Sequence, residues 1–269
     1  MTGGGRHGRG RAPGRPVIRV RSLLTALPFL LLALAYPALR ELPRLAGLEN
    51  DTLTWRYALR GPVVPDAPVT IVAIDDATVA AASGWPVPRD RLATAIRRLS
   101  EADAAVIAVD LLMAEPARDP DADTALADAL RASGRTFLPV AGTMHGAEAG
   151  GTPADLAGHT VPLRRSAGAP PPPTPDDLLT PIRPLAAAAA GLGHVNVLLG
   201  ADGALKGLHP AIGLPSDGAL PSLALLAAAG YHDLTRRDLA VDLPGAVHLG
   251  DGRVPLGHDG RWTVNFYGP

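Results

Sequence analysis

Cysteine is absent from this 269-residue sequence. Its absence excludes a disulfide framework, thiolate metal sites, a cysteine nucleophile and a cysteine-anchored lipoprotein. Aromatic residues make up only 4% of the chain, so its core must consist mostly of Ala, Leu and Val. The hydrophobic fraction of 47% rules out a generically disordered chain, and the 30 Gly and 28 Pro indicate many turns. A chain of this length forms one domain or two small ones.

Acidic residues are missing from the first 40 positions, which hold seven of the 25 basic residues. The remaining 18 basic residues accompany 26 acids, so the rest of the chain has a net charge of −8. Six of the early arginines precede Leu23–Leu39, a run of 17 residues without a charge. Such a run is about the lower limit for spanning a bilayer of ~30 Å.

This arrangement predicts a disordered basic head at residues 1–21, a transmembrane helix at 22–40 and an extracytoplasmic part at 41–269. By the positive-inside rule, the arginine-rich head stays in the cytoplasm. We therefore predict a single-pass protein of the cell inner membrane that contacts the lipid bilayer through residues 22–40. We predict no nucleic-acid partner, because topology explains a basic head that abuts an apolar run. The alternative is a cleavable signal, since Ala33-Leu34-Ala35 offers a cleavage site after a short apolar core.

Hydrophobic periodicity predicts an α/β domain after the anchor. Residues 41–60 are mildly amphipathic and predict a helical stalk. Apolar runs then alternate with amphipathic segments, which predicts strand, helix, strand, helix and strand at Val69–Ile74, Arg89–Glu101, Ala104–Val109, Asp121–Ala132 and Thr136–Val140. Right-handed crossovers at this spacing imply a largely parallel sheet in a three-layer α/β domain.

The C-terminal half is expected to add antiparallel strands to this domain. A Gly- and Pro-rich stretch at about 142–181 predicts a long surface insertion. Order returns with a helix at Ile182–Ala190, a strand at Gly193–Leu198 and a helix at Ser222–Ala229. Asp-Gly pairs mark the turns between the short strands that follow, of which the last is Trp262–Phe266.

Several signatures of chemistry can be tested, and they fail. The segment from Gly191 to Asn196 is nearly G-x-G-x-x-G, but Asn replaces the third Gly and a helix precedes it. Asp119-x-Asp121-x-Asp123 begins like a Ca²⁺ loop without the later Gly and Glu, so we interpret these acids as stabilising a helix N-terminus. The eight His lack ligand spacing. We therefore predict no catalytic residue, metal or cofactor.

Acidic residues follow two of the predicted strands. Asp75 and Asp76 come after the first strand, and Asp110 ends the second. Because ligands of open parallel sheets bind beyond the carboxyl ends of the strands, we expect these carboxylates at one edge. The trio could hold Mg²⁺, receive a cationic ligand or cap helices. Arg89 could neutralise one Asp, in a site or in an internal salt bridge, and Glu115 lies just downstream of Asp110.

Trp85 lies in a loop whose backbone is restricted by Pro86 and Pro88. Its side chain is therefore held at low entropic cost. The ring is either a ligand platform at the sheet edge or a lid on the small-residue core.

Several segments, in order, resemble the CHASE2 extracytoplasmic sensor domain. Ile71–Asp76 resembles its strand ending in I-D-D, Gly84–Arg89 its W-P-x-x-R loop, and Ala108–Pro116 its strand ending in D-x-x-F-x-E-P. Gly193–Asn196 resembles its G-x-x-N segment, and Asn265–Gly268 its I-N-F-x-G strand. Through this resemblance Asn196 joins the candidate site.

The sequence departs from that family at Met113, where Phe is usual, at Ala201, which replaces the first Asp of a D-x-D-G turn, and at Lys206, where Arg is usual. Family members usually continue with another strand, two membrane helices and an output module such as a nucleotide cyclase, a kinase or a diguanylate cyclase. We therefore expect a domain that is incomplete at its C-terminus and lacks its output module.

The resemblance implies a membrane-anchored extracytoplasmic sensory domain of a signal-transduction receptor, not an enzyme, with a small-molecule or ionic stimulus. Sensors of this kind often work as homodimers. The candidate ligand-binding residues are Asp75, Asp76, Trp85, Arg89, Asp110, Glu115 and Asn196. One alternative is a periplasmic metal-dependent hydrolase or phosphoryl-transfer enzyme that uses the three aspartates. Another is a structural envelope protein whose acidic edge is only salt-bridged.

Overall fold

The computed structural model describes residues 27–31, 34–35, 43–65, 67–82, 84–143, 154–199, 203–214 and 218–268. The predicted head at 1–21 lies outside the described residues, and so does most of the predicted membrane segment at 22–40. The two described pieces of that segment are helical. In the described part of the chain, no helix is both long and apolar enough to cross a bilayer. The membrane helix and its orientation therefore stay predictions.

The chain divides into two compact units, Met1–Val63 with Gly268–Pro269, and Val64–Tyr267. Within the first unit, helix α1 (Pro43–Arg60) occupies the segment predicted to be helical. A proline can begin a helix because the first N–H groups have no intrahelical acceptor. Near the other end of α1, the guanidinium of Arg60 lies 5.0 Å from the centre of the Tyr57 ring.

The second unit contains five helices, two 3-10 helices and twelve strands among its described residues. The helices are α2 (Asp76–Ala81), α3 (Arg89–Glu101), α4 (Pro120–Ser133), α5 (Arg183–Ala188) and α6 (Leu223–Tyr231), and the 3-10 helices are Ala154–His159 and Arg236–Asp238. The first six strands are β1 (Ile107–Ala108), β2 (Thr136–Thr143), β3 (Leu163–Arg165), β4 (Asp177–Leu179), β5 (Gly191–His194) and β6 (Gly207–Leu208). The others are β7 (Ala211–Gly213), β8 (Ala219–Pro221), β9 (Leu239–Leu243), β10 (Ala246–Leu249), β11 (Gly252–Pro255) and β12 (Trp262–Thr263).

The first sheet has β2 at its centre. Strands β1 and β5 run parallel to β2, with Ile107 opposite Thr136 and Phe137 opposite Gly191. Strand β4 pairs antiparallel with the end of β2. The prediction of an α/β domain that combines parallel and antiparallel strands is therefore confirmed.

Apolar side chains cover both faces of this sheet. Leu138 and Val140 of β2 belong to the larger core cluster, which also holds the buried residues of α3, α4 and α5. Phe137, which alternation directs to the opposite face, packs against a second cluster with Leu225 and Leu226 of α6. The sheet is thus enclosed between the helices of one cluster and α6 with its neighbours.

Local signals define α4 well. Asp119 is its N-cap and accepts a hydrogen bond from the N–H of Asp121 (3.0 Å), and Pro120 follows at the first helical position. Gly134 ends the helix with φ 62°, in the left-handed region that glycine adopts without a Cβ clash. The helix observed at 120–133 therefore extends the predicted one by a residue at each end.

A second sheet is built from the antiparallel strands β11, β10 and β9, with β3 parallel to β9. Composition predicts a surface insertion at about 142–181, yet residues 154–181 supply a 3-10 helix, strand β3 of this sheet and strand β4 of the first. Leu156 and Val161 explain the order, because both are buried almost completely. A few well-placed apolar residues are enough to anchor a Pro-rich segment.

The predicted first strand, Val69–Ile74, is not a strand. These residues belong to none of the sheets, and the exposed fractions of Val69 and Ile71 are 76% and 86%. A β-branched pattern alone does not make a strand, since strand formation depends on a partner. The first described strand of the parallel sheet is β1, so Asp75 and Asp76 do not stand at the end of a paired strand.

Candidate functional site

Strands β1, β2 and β5 run in the same direction, and we call the end of the first sheet towards which they run its carboxyl edge; β1 ends opposite Phe137 and β5 opposite Val140, before the end of β2. Asn196, two residues beyond β5, bridges this edge to β2. Its Oδ1 accepts a hydrogen bond from the N–H of Gly142 (2.8 Å), and its Nδ2 donates one to the Gly142 carbonyl (2.5 Å). A Cβ on Gly142 would lie 2.6 Å from the Pro175 Cβ, so only glycine fits there. The side-chain amide of Asn196 therefore joins the segment after β5 to the end of β2.

Arg89 fastens the loop that follows β1. Its Nη1 binds the Asp123 carboxylate of α4, and its Nη2 donates to the carbonyl oxygen of Glu115. The other oxygen of Asp123 accepts a hydrogen bond from the N–H of Ala117 (3.0 Å). The side chains of Arg89 and Asp123 are each only 11% exposed. We call the Arg89, Asp123 and Glu115 arrangement the loop clamp.

Met113 anchors the same loop from inside. Its side chain is buried in the larger core cluster, and its carbonyl accepts a hydrogen bond from the N–H of Ile182 (2.9 Å). Residues 110–117 are therefore held by packing at one point and by the loop clamp at another. Met113 is one of the three positions at which the sequence departs from the family pattern. It is a core position, at which a Met side chain also fills the space.

The salt bridge expected of Arg89 exists, but its acid is not one of the three predicted aspartates. Asp123 had been interpreted only as one of several acids at a helix N-terminus. In an alternation of strands and helices, the N-terminus of a helix lies near the carboxyl end of the preceding strand. Here α4 also packs beside α3, which carries Arg89. The sequence spacing of Asp119, Asp121 and Asp123 does not indicate which of these acids faces Arg89.

Asp75 and Asp76 serve α2. Asp75 is its N-cap, and Oδ1 accepts hydrogen bonds from the Thr78 hydroxyl (2.7 Å) and the Thr78 N–H (2.8 Å). The hydroxyl bond first, and the backbone bond second, hold the pKa of the Asp75 carboxyl below its usual value. Asp76 is the first residue of the helix and is exposed. Asp75 is therefore the helix cap, whereas Asp76 lies in the first turn.

Of the roles considered for the three aspartates, a metal site is not supported. Across the described residues, no group of three or more His, Asp or Glu is arranged to hold a metal ion. Asp110 lies two residues after β1 and is exposed. The prediction that the three carboxylates meet depends on Val69–Ile74 forming a strand beside β1, and the structure shows no such pairing among the described residues.

Trp85 is at the surface, with 64% of its side chain exposed. The buried member of its loop is Val87, two residues later. The ring is therefore not a lid on the core, and it is available to a ligand.

His194, at the end of β5, has a setting that the sequence analysis missed. It is 2% exposed, and neither ring nitrogen has a hydrogen-bond partner among the described residues. Burial, and then the charge of the neighbouring His209, lower the pKa of His194 from 6.5 to about 3, against an opposing interaction with the His209 backbone that raises it. Burial and then Arg261 also lower the pKa of His209, against the effect of Asp259. The only local signal was a polar residue within an apolar run.

A comparison with known families gives one match over most of the chain. The model of a family described as the CHASE2 domain matches residues 29–269. Neither a curated protein nor a solved structure matches the chain significantly. The matched range contains every candidate residue discussed above, including the loop clamp and the histidines.

Proposed function

The chain belongs to the CHASE2 domain family, and from this premise we propose that it is a membrane-anchored extracytoplasmic sensory domain of a signal-transduction receptor. CHASE2 domains are sensor domains, and the extent of the family match is the observation that carries the proposal. The chain itself would bind a stimulus rather than catalyse a reaction.

The N-terminal sequence supports the proposed topology. Seven arginines and no acid occupy the first 40 positions, and the uncharged run Leu23–Leu39 lies among them. By the positive-inside rule, the head would stay in the cytoplasm and the remainder would face the exterior. The inner membrane is the proposed location, with the bilayer as partner through residues 22–40.

The carboxyl edge is the proposed place for a small-molecule or ionic stimulus. In open sheets that contain parallel strands, ligands bind in the crevice beyond the carboxyl ends. Asp110 offers an exposed carboxylate there, and the exposed Trp85 precedes the helix that carries Arg89. A cationic ligand suits a carboxylate and an aromatic face.

The loop clamp is the part of this site that would respond to a bound ligand. A ligand shifts an equilibrium only by its different affinity for the two states. Residues 110–117 are held by a few identifiable contacts, so a ligand that binds only one arrangement of this loop would change how α3 and α4 are joined. We propose that a cytoplasmic output module, on this chain or on another, receives that change.

A topology assay tests the proposed location. Alkaline phosphatase fused after residue 269 should be active and a green fluorescent protein there should be dark, because the first folds only outside the cytoplasm. Replacing the six arginines of residues 1–21 by serine should give mixed orientation. A fluorescent C-terminal fusion of the wild type would refute the proposed topology.

A thermal-shift screen of cations and cationic metabolites tests the proposed site. A true ligand raises the melting temperature of the wild type, and Asp110→Asn or Trp85→Ala should abolish that rise. Asp128→Asn is the matched control, because Asp128 is an exposed acid on α4 that pairs only with Arg131 (2.7 Å). A shift that survives both edge variants would place the ligand elsewhere.

A further inference from the structure

Strand β5 contacts β2, β8, α6 and the first 3-10 helix. His194 ends it, lies opposite Val140 in β2 and forms an isolated parallel bridge with Ser222 at the start of α6. One residue earlier, a Cβ on Gly193 would lie 2.7 Å from the backbone of Leu223. The imidazole of His194 is therefore enclosed where backbones approach closely.

Three histidines lie in or next to this strand. His209, between β6 and β7, is half-buried and acts electrostatically on His194. His159 of the first 3-10 helix accepts a hydrogen bond on Nδ1 from the N–H of Leu192 in β5 (3.2 Å). We call His159, His194 and His209 the histidine cluster.

The charges that face the cluster are few. Arg261 and Asp259 act on His209, and the Arg261 guanidinium is itself bound to the Asp259 carboxylate through Nε (2.6 Å). The other elements in contact with β5, which are β2, β8 and α6, present no ionisable side chain to His194 among the described residues. Among the described residues, Asp259 is the carboxylate shown to act on His209, and it is already paired with Arg261.

We propose that the histidine cluster is a proton-binding site, and that acidification of the exterior opens the contact of β5 with the segment from β6 to β7. This inference deepens the proposed function, on which it rests, by naming the proton as a stimulus. Water must reach His194 before its ring can bind a proton, since a buried cation without a partner is costly.

The hydrogen bonds around the cluster indicate which segment would move. His209 precedes Pro210, whose carbonyl accepts a hydrogen bond from the N–H of Ser222 (2.8 Å). Cations on both His194 and His209 would repel one another and Arg261 across this contact. A protonated His159 could no longer accept the N–H of Leu192, because both ring nitrogens would then be donors.

Hydrogen exchange of the 269-residue chain between pH 7.5 and 4.5 tests the proposal. After correction for intrinsic exchange, peptides covering 191–196 and 207–213 should lose protection by up to about tenfold per pH unit below pH 6, since one proton is taken up on opening. Peptides of α3 (89–101) should not change. His194→Leu, which replaces the ring by an apolar side chain, should remove most of the pH dependence, whereas His232→Asn at the exposed end of α6 should not.

Imidazole NMR of the wild type keeps the test independent of how the variants fold. His194 should titrate well below pH 6.5 and together with His209. A normal titration of His194, or protection that does not depend on pH, would overturn the proposal. A cytoplasmic result in the topology assay with an intact acid response would instead overturn the proposed function and leave the proton site standing.

Discussion

Replacing Asp123 by alanine should strongly destabilise the second unit, because it leaves the Arg89 guanidinium buried without its anion. The two side chains are 11% exposed, and the same carboxylate also accepts the N–H of Ala117. Breaking a buried ion pair by removing one partner costs about 3–5 kcal/mol. For a unit of this size, that loss lowers the melting temperature by roughly 6–20 °C.

The same helix contains a matched control. Asp128 and Arg131 also form an ion pair (2.7 Å), but their side chains are 68% and 56% exposed. Solvent screens such a pair, so Asp128→Ala should cost about 0–1 kcal/mol. Both variants remove one carboxylate from α4, and they differ in burial and in the hydrogen bond that Asp123 accepts from Ala117.

Urea denaturation of the wild type, the two alanine variants and the pair Arg89→Met with Asp123→Ala measures the effect. The double variant should cost less than the two single variants together, because no charge is left buried alone. If Asp123→Ala costs no more than Asp128→Ala, then the loop clamp does not contribute to stability and its proposed part in signalling fails with it.

Acid should lower the stability of the fold through His194, whose pKa is about 3 in the folded protein against 6.5 in the unfolded chain. The unfolded state binds the extra proton, so stability falls by roughly 1 kcal/mol per pH unit as the pH drops from 6.5 towards 3, and thermal melts that stay flat over this window would contradict it. Gly193→Ala should cost about 1–3 kcal/mol, because its Cβ would lie 2.7 Å from the Leu223 backbone, whereas Gly158→Ala has nothing within 4 Å and should cost far less in the same urea assay. Asn196→Ala should cost about 1–3 kcal/mol and raise hydrogen exchange at the ends of β2 and β5, since it leaves a backbone N–H and carbonyl unpaired; unchanged exchange there would argue against the bridge.

The helices were predictable because their signals are local. Arg89–Glu101 is a helix with the bounds predicted from its apolar spacing, and α4 extends its predicted bounds by one residue at each end. Capping and periodicity involve residues within a few positions of one another, so they can be recognised without knowledge of the tertiary structure.

The candidate site was predictable in kind but not in its partners. A salt bridge of Arg89 was expected, but its acid lies 34 positions away on α4 rather than on a neighbouring strand end. Asp75 was expected near an edge or at a helix start, and the structure uses it as a cap. Which of several acids faces a given arginine depends on how the helices are packed, which no spacing rule specifies.

The sequence by itself determined the family, helices α3 and α4 and the mixture of parallel and antiparallel strands, since these follow from composition, local conformation and an ordered set of motifs. Only the tertiary structure decided that Val69–Ile74 stays outside the sheets, that Asp123 holds the loop clamp and that His194 is buried without a hydrogen-bond partner. Pairing, desolvation and charge partners all depend on what a distant segment places beside a residue. The stability of the loop clamp and the protonation of the histidine cluster both depend on those contacts.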